Sequence, residues 1–76
     1  MFDRIVSDPA ILSGKPIIRG TRISVALILE WIASGASPTD IIRQYSHLTA
    51  EDVDQALAYA AASMRHEVLL TVQVPG

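Results

Sequence analysis

Cysteine is absent from this chain of 76 residues, which excludes a disulfide framework and a thiolate metal site. No apolar run approaches the roughly 20 residues that a membrane-spanning helix needs. The first four residues also lack the charged and then apolar layout of a signal peptide. These absences predict one small domain in the cytoplasm, without membrane association and without covalent cross-links.

Charged residues are few, at 18%, and the net charge of −2 argues against a strongly basic nucleic-acid-binding protein. Their distribution is uneven. Residues 1–22 contain four basic and two acidic residues, whereas residues 23–76 contain two basic and six acidic ones. The basic N-terminal part and the acidic remainder of the chain indicate two surfaces for two kinds of partner.

Hydrophobic residues make up 50% of the chain, which is high for so small a domain. A domain of this length buries only about 60% of the surface that its unfolded chain exposes. The interior is therefore too small to hide all of the apolar side chains. We expect the remainder to be buried against a second copy, in a homodimer.

Residues 1–23 are predicted to form a β and turn element. Short strands are expected at Ile5–Val6 and at Ile17–Arg19, and Thr21–Ile23 is expected to continue the second strand past a bulge at Gly20. Two strands this short are not stable alone, so they must lie on helices or pair with a second subunit. We therefore assign the segment to dimerisation.

A helical period follows over residues 24–67. Helix one is predicted over about 25–34 and helix two over about 38–45, capped by Ser24 and Ser37. Helix three starts after Thr49. Its predicted inward stripe consists of Val53, Ala56, Leu57, Ala60 and Met64.

Helix one is apolar nearly all round, so it is predicted to be buried on more than one side. The simplest second side is a subunit interface, for which Leu27 and Trp31 are candidates together with Ile17 and Ile18. Residues 68–76 form an apolar tail that is either a strand or a segment that orders on a partner. Docking on a partner is favoured, because apolar termini rarely stay loose in water.

Helix two, a short turn and helix three make a helix-turn-helix, in which the last helix can enter the major groove of DNA. The exposed start of helix three carries Glu51, Asp54 and Gln55. The two acids repel phosphate, and only Gln55 offers a group suited to reading adenine. A purely structural role for this helix is therefore the stronger interpretation.

The run from Gly14 to Val25, GKPIIRGTRISV, places Lys15, Arg19 and Arg22 within eight residues. One interpretation is phosphate contact by a basic patch that dimerisation doubles. The equally weighted alternative is that the arginines pair with acids such as Asp8 or Glu30.

No catalytic constellation is present. The two histidines, His47 and His66, are not at metal-ligand spacing, and no acid is placed to orient the imidazole beside Ser46. Asp52 and Asp54 project in different directions from a helix. The sequence therefore predicts a protein that is not an enzyme and has no cofactor.

The same run resembles the signature of a small prokaryotic family, the domain of unknown function 433. The residues that match its pattern are Asp8-Pro9, Gly14, Pro16, Gly20-Thr21-Arg22, Val25, Gly35, Tyr45 and Leu48-Thr49. The resemblance runs from about Ile5 to Ala60. It implies a mainly α fold, a dimeric three-helix bundle of homeodomain-like helix-turn-helix type with the small N-terminal β element.

Many members of that family look like VapB-type antitoxins encoded beside a toxin with a PIN-like nuclease fold. The resemblance thus implies a type II antitoxin that neutralises a ribonuclease and represses its own operon as an additional role. The segment expected to bind the toxin comprises Arg65, Val68, Leu69, Leu70 and Val72. The alternative is a homodimeric protein-interaction module that does not bind operator DNA; a nuclease role is the least favoured.

Overall fold

The structure is a computed structural model that describes residues 2–72, with the side chains of residues 2–65. Two short strands precede three helices, and a single 3₁₀ turn, Leu12–Gly14, lies between the strands. The elements are β1 (Ile5–Ser7), β2 (Pro16–Ile18), α1 (Val25–Ala33), α2 (Pro38–Gln44) and α3 (Ala50–Val72). This arrangement confirms the prediction of a mainly helical fold with a small N-terminal sheet.

The two strands pair antiparallel, with Ile5 opposite Ile18 and Ser7 opposite Pro16. The connection between them starts with a turn at Asp8, whose carboxylate accepts a hydrogen bond from the backbone N–H of Ala10 at 2.9 Å. It then passes through a left-handed turn in which Leu12 and Ser13 both have positive φ. This conformation leaves Leu12 42% exposed.

A tight turn follows β2 in place of the predicted bulge. The backbone N–H of Thr21 donates to the carbonyl of Ile18 at 3.0 Å. Gly20 has a φ of +78°, and it occupies the third position of the turn, where a type II turn requires a positive φ. The Thr21 hydroxyl donates to the Ile18 carbonyl and accepts from the N–H of Ile23. The chain therefore reverses at this point instead of continuing as a strand.

Each helix begins where predicted, because a hydroxyl side chain accepts a hydrogen bond from a backbone N–H of the first turn. The cap residues are Ser24, Ser37 and Thr49. In α2 and α3 the bond is reciprocated, since Asp40 or Asp52 accepts from the N–H of the cap residue. These local signals explain why the starts of the helices were readable from sequence.

The core lies between the three helices and β2. Its buried residues are Ile18, Ile23, Val25, Ile28, Ile41, Leu48, Val53 and Ala56. Ile17 and Ile18 were predicted to lie at a dimer interface, yet each side chain is only 1% exposed within the single chain. Both are therefore interior residues of the protomer, which corrects that assignment.

Helix α3 is longer than expected. Its backbone stays helical through Val72, so the strand alternative for the tail does not hold over residues 68–72, and residues 73–76 lie outside the described part of the chain. Met64 was predicted to face inward but is 47% exposed. Helix α3 has 23 residues and α1 has 9, so α3 extends beyond the helix on which its inward face packs.

Among the described helices, none is both long and apolar enough to cross a membrane on its own. The pair α1 and α2 reaches that length and composition only when taken together, with a bend of 120° between them.

Neighbouring residues of α1 give a test of this packing. Ile28 is fully buried, whereas Leu29 is 37% exposed. We expect Ile28→Ala to lower the free energy of unfolding by about 2–5 kcal/mol, through lost burial and the cavity left behind. Leu29→Ala should cost less than about 1 kcal/mol. Urea denaturation of both variants measures the difference, and equal costs would contradict the described core.

Candidate partner-binding surface

The N-terminal segment is bound to the start of α3 through Arg4. Its backbone N–H donates to the side-chain carbonyl of Gln55 at 3.0 Å, and its Nη1 donates to Asp52 Oδ1 at 3.1 Å. Its Nη2 lies 3.3 Å from Glu51 Oε1. Hydrogen bonds to Glu51 and Asp52 raise the pKa of Arg4, so the guanidinium is held in its charged form.

Gln55, the predicted base-reading residue, uses both ends of its amide within the chain. Besides accepting from Arg4, it donates from Nε2 to Asp3 Oδ1 at 2.9 Å and to Glu51 Oε2 at 3.3 Å. The bond from Gln55 is the main reason that the pKa of Asp3 is lowered. A base could contact Gln55 only by displacing these partners, and the contact with DNA stays a prediction.

Asp52 and Arg4 are the residues whose importance sequence reasoning missed. The sequence predicts only that Asp52 projects from a helix in a different direction from Asp54, whereas in the structure only 5% of Asp52 is exposed. Its position three residues after the cap Thr49 was visible in the sequence. The guanidinium that compensates its burial comes from a residue 48 positions earlier, and no local pattern indicates that pairing.

The three cations of the predicted phosphate patch, Lys15, Arg19 and Arg22, are all exposed. None forms an ion pair with an acid among residues 2–65, so the alternative pairing with Asp8 or Glu30 is not found there. The backbone of Arg19 is fixed by a hydrogen bond from its N–H to the carbonyl of Arg4 at 2.8 Å. All three side chains are thus exposed to solvent, and the backbone of Arg19 is held in place by this hydrogen bond.

The structure separates these cations into two places. Arg19 is the second residue of the tight turn and Arg22 directly follows the turn, whereas Lys15 precedes β2 and lies beside α1 and α3. The turn region therefore carries two positive charges. Lys15 belongs to a different surface.

That surface is an open groove of about 330 Å³ between α1 and α3, which we name the α1–α3 groove. Ala26 and Leu29 line it from α1, Ala60 and Met64 line it from α3, and Lys15 lies at its edge. Small alanines on both helices leave the space open. Leu29 and Met64 are large apolar side chains that remain 37% and 47% exposed.

The other two predicted interface residues, Leu27 and Trp31, are half-buried and pack against the core of their own chain. The Trp31 ring stacks on Tyr45, with the ring centroids 4.6 Å apart and the planes inclined by 20°. This second stripe of α1 is therefore largely used in holding α2. The apolar surface that α1 leaves uncovered is at Leu29 instead.

The buried carboxylate of Asp52 gives a prediction for the attachment of the N-terminal segment. Asp52→Asn weakens both the cap of α3 and the contact with Arg4, and we expect it to lower the free energy of unfolding by about 1–3 kcal/mol. Asp54→Asn is the matched control, because Asp54 is exposed on the same helix; it should change stability by less than about 0.5 kcal/mol. Thermal melting compares the two, and a neutral Asp52→Asn would show that the attachment contributes little.

Comparison with known proteins identifies the family to which the chain belongs. Residues 5–60 match the sequence model of the family described as "Protein of unknown function (DUF433)". The chain is 36% identical over 59 residues to the uncharacterized protein y4eO of Sinorhizobium fredii, which covers 78% of this chain but only 27% of that curated relative. The fold of the present chain is similar to that in the crystal structure of a DUF433 member protein from Anabaena variabilis. The TM-score is 0.79 at 28% sequence identity, and the similarity covers 93% of this chain and 70% of that one. The chain therefore belongs to the DUF433 family.

Proposed function

We propose that this protein is the antitoxin of a type II toxin–antitoxin pair, a non-catalytic chain that binds and neutralises a PIN-like ribonuclease. The class of partner comes from the family resemblance. The observation that carries the proposal is the α1–α3 groove, where Leu29 and Met64 leave apolar surface open to a second protein.

The apolar character of the groove supports protein binding. Large contiguous apolar patches mark interaction sites, whereas single exposed apolar side chains are normal. In this groove two large apolar side chains, Leu29 and Met64, lie together. Covering it with a partner gains about 25 cal/mol for each Å² of apolar surface removed from water. Three large apolar side chains are exposed among the described residues. Leu29 and Met64 line this groove, whereas Leu12 lies outside it.

Charge supports a partner with an acidic site. Lys15 lies at the edge of the groove, and the exposed Arg65 directly follows Met64 on α3. Both are suited to approach the carboxylates of a magnesium-binding nuclease cleft, since complementary charge guides encounter and fixes orientation. The helix continues from Arg65 to the remaining residues predicted to bind toxin, Val68, Leu69, Leu70 and Val72, whose side chains lie outside the described part.

Repression of its own operon is the second candidate, favoured by the pair Arg19 and Arg22 at the turn. Because Arg4 and Asp3 occupy the start of α3, DNA contact is assigned to these two arginines and to phosphate rather than to bases. Homodimerisation remains part of the proposal, through a surface other than the α1–α3 groove, which the toxin would occupy. A homodimeric interaction module without DNA binding is the alternative.

Co-expression with the neighbouring reading frame tests partner binding. We expect Leu29→Glu and Met64→Glu to release a co-purifying ribonuclease, since each places a charge in the groove. Leu12→Glu is the matched control, because it adds the same charge at an exposed leucine outside the groove. The measurements are the yield of partner on the tagged chain and the ribonuclease activity of the eluate.

The wild-type complex should be inactive and the two groove variants should lose at least about tenfold in affinity, or about 1.4 kcal/mol. Retention of the partner by both groove variants would contradict docking in the groove. A clean homodimer with no second protein would contradict the antitoxin proposal itself.

Operator binding is tested separately by its salt dependence. If Arg22 contacts a phosphate, Arg22→Ala should reduce the slope of log K against log salt by about one. Arg43→Ala is the control, because Arg43 lies on α2 and pairs with Asp40 at 3.5 Å; it should leave the slope unchanged. Upstream DNA titrated by fluorescence anisotropy provides the measurement, and absence of binding would favour the module that does not bind DNA.

A further inference from the structure

We propose that the cleft between α1 and α2 is a binding site for a cationic side chain, the guanidinium of arginine or the ammonium of lysine, on a partner protein. The cleft has a volume of about 330 Å³. Its lining residues are Trp31, Ala36, Asp40, Ile41, Gln44 and Tyr45. The proposal does not depend on the identity of the partner or on the α1–α3 groove.

The aromatic wall of the cleft is the first argument. Trp31 and Tyr45 stack nearly parallel, with a centroid distance of 4.6 Å, so their orientation is fixed before any ligand arrives. Aromatic faces attract cations within about 6 Å, tryptophan most strongly. Ala36, in the turn between the helices, has a side chain too small to fill the space in front of them.

Asp40 supplies the cleft with a carboxylate that is held in position by hydrogen bonds and ionised. Asp40 Oδ2 accepts a hydrogen bond from the backbone N–H of Ser37 at 2.9 Å, and the Asp40 N–H donates to the Ser37 hydroxyl. These bonds, led by the one from the Ser37 backbone, lower the pKa of Asp40. Its other oxygen has only Arg43 at 3.5 Å, and that arginine is 74% exposed. Such an exposed ion pair is weak and readily replaced.

The remaining lining of the cleft decides which ligands it excludes. Gln44 lies one helical turn after Asp40 and lines the same cleft, so its side chain adds a neutral amide group beside the carboxylate. No lysine or arginine of the described residues lines the cleft. An anion would gain no attraction from Asp40, and an apolar group would cover a half-exposed carboxylate that has only its weak pair with Arg43. A cation from another molecule is the ligand that satisfies both the rings and the carboxylate.

Trp31 is the one tryptophan of the chain, so its fluorescence reports on this cleft. We would titrate the full-length protein with N-acetyl-arginine amide, and with N-acetyl-citrulline amide as its neutral isostere, at constant ionic strength. The arginine compound should produce a saturable change with a dissociation constant on the order of 10 mM, as a single exposed cation site allows. The citrulline compound should produce none.

Two variants and one control examine how the negative charge of the cleft contributes to binding. Gln44→Glu, at an exposed helical position, should tighten binding by about threefold to tenfold, since it adds a second carboxylate beside Asp40. Asp40→Asn should weaken binding by a similar factor, whereas Asp54→Asn, on α3 and outside the cleft, should leave it unchanged. Equal responses to arginine and citrulline would overturn the proposal. So would a Gln44→Glu variant that is folded by circular dichroism and binds no more tightly than wild type.

Discussion

The attachment of Arg4 to the first turn of α3 is the contact on which the arrangement of the N-terminal half depends. The Arg4 guanidinium donates a hydrogen bond to the buried carboxylate of Asp52 and balances its charge. The backbone N–H of Arg4 donates to the side-chain oxygen of Gln55. The carbonyl of Arg4 accepts a hydrogen bond from the N–H of Arg19. One residue thus connects β1, the turn after β2 and the helix. Without it Asp52 would be a buried charge with no cationic partner, which is costly in a small domain.

This attachment decides which surfaces are left for partners. The start of α3 is the part of a helix-turn-helix that would approach base edges, and here it is occupied by Asp3 and Arg4. We therefore propose three other places for interaction: the basic turn around Gly20, the α1–α3 groove and the cleft at Trp31. The turn around Gly20 carries positive charge, the groove exposes apolar surface and the cleft contains a carboxylate. These three surfaces therefore suit different ligands. That separation agrees with the uneven distribution of charge along the chain.

The features that could be predicted from sequence are local ones. Cap residues such as Ser37 act within one helical turn, so their position beside an acid and a proline is enough to place the start of a helix. The tight turn was also within reach, since Gly20 followed by Thr21 is a pattern suited to a positive φ and a hydroxyl that bonds back to the chain. Reading that segment as a bulged strand gave too little weight to the glycine.

The features that escaped prediction depend on packing between distant segments. Ile17 and Ile18 are consecutive in a strand, so their side chains point to opposite faces, and both are buried only because both faces are covered. Met64 continues the inward period of α3, but the shorter α1 leaves it uncovered. The partners of Gln55 and Asp52 lie about 50 residues away in the chain. None of these relations has a periodic signature.

We propose that partners bind at the α1–α3 groove and not at the start of α3. Amide hydrogen exchange of this chain, alone and after co-expression with the neighbouring reading frame, distinguishes the two surfaces. Slower exchange is expected in the complex over residues 25–33 and 59–65, with no change over residues 50–55. Protection confined to residues 50–55, with the groove unchanged, would contradict this proposal.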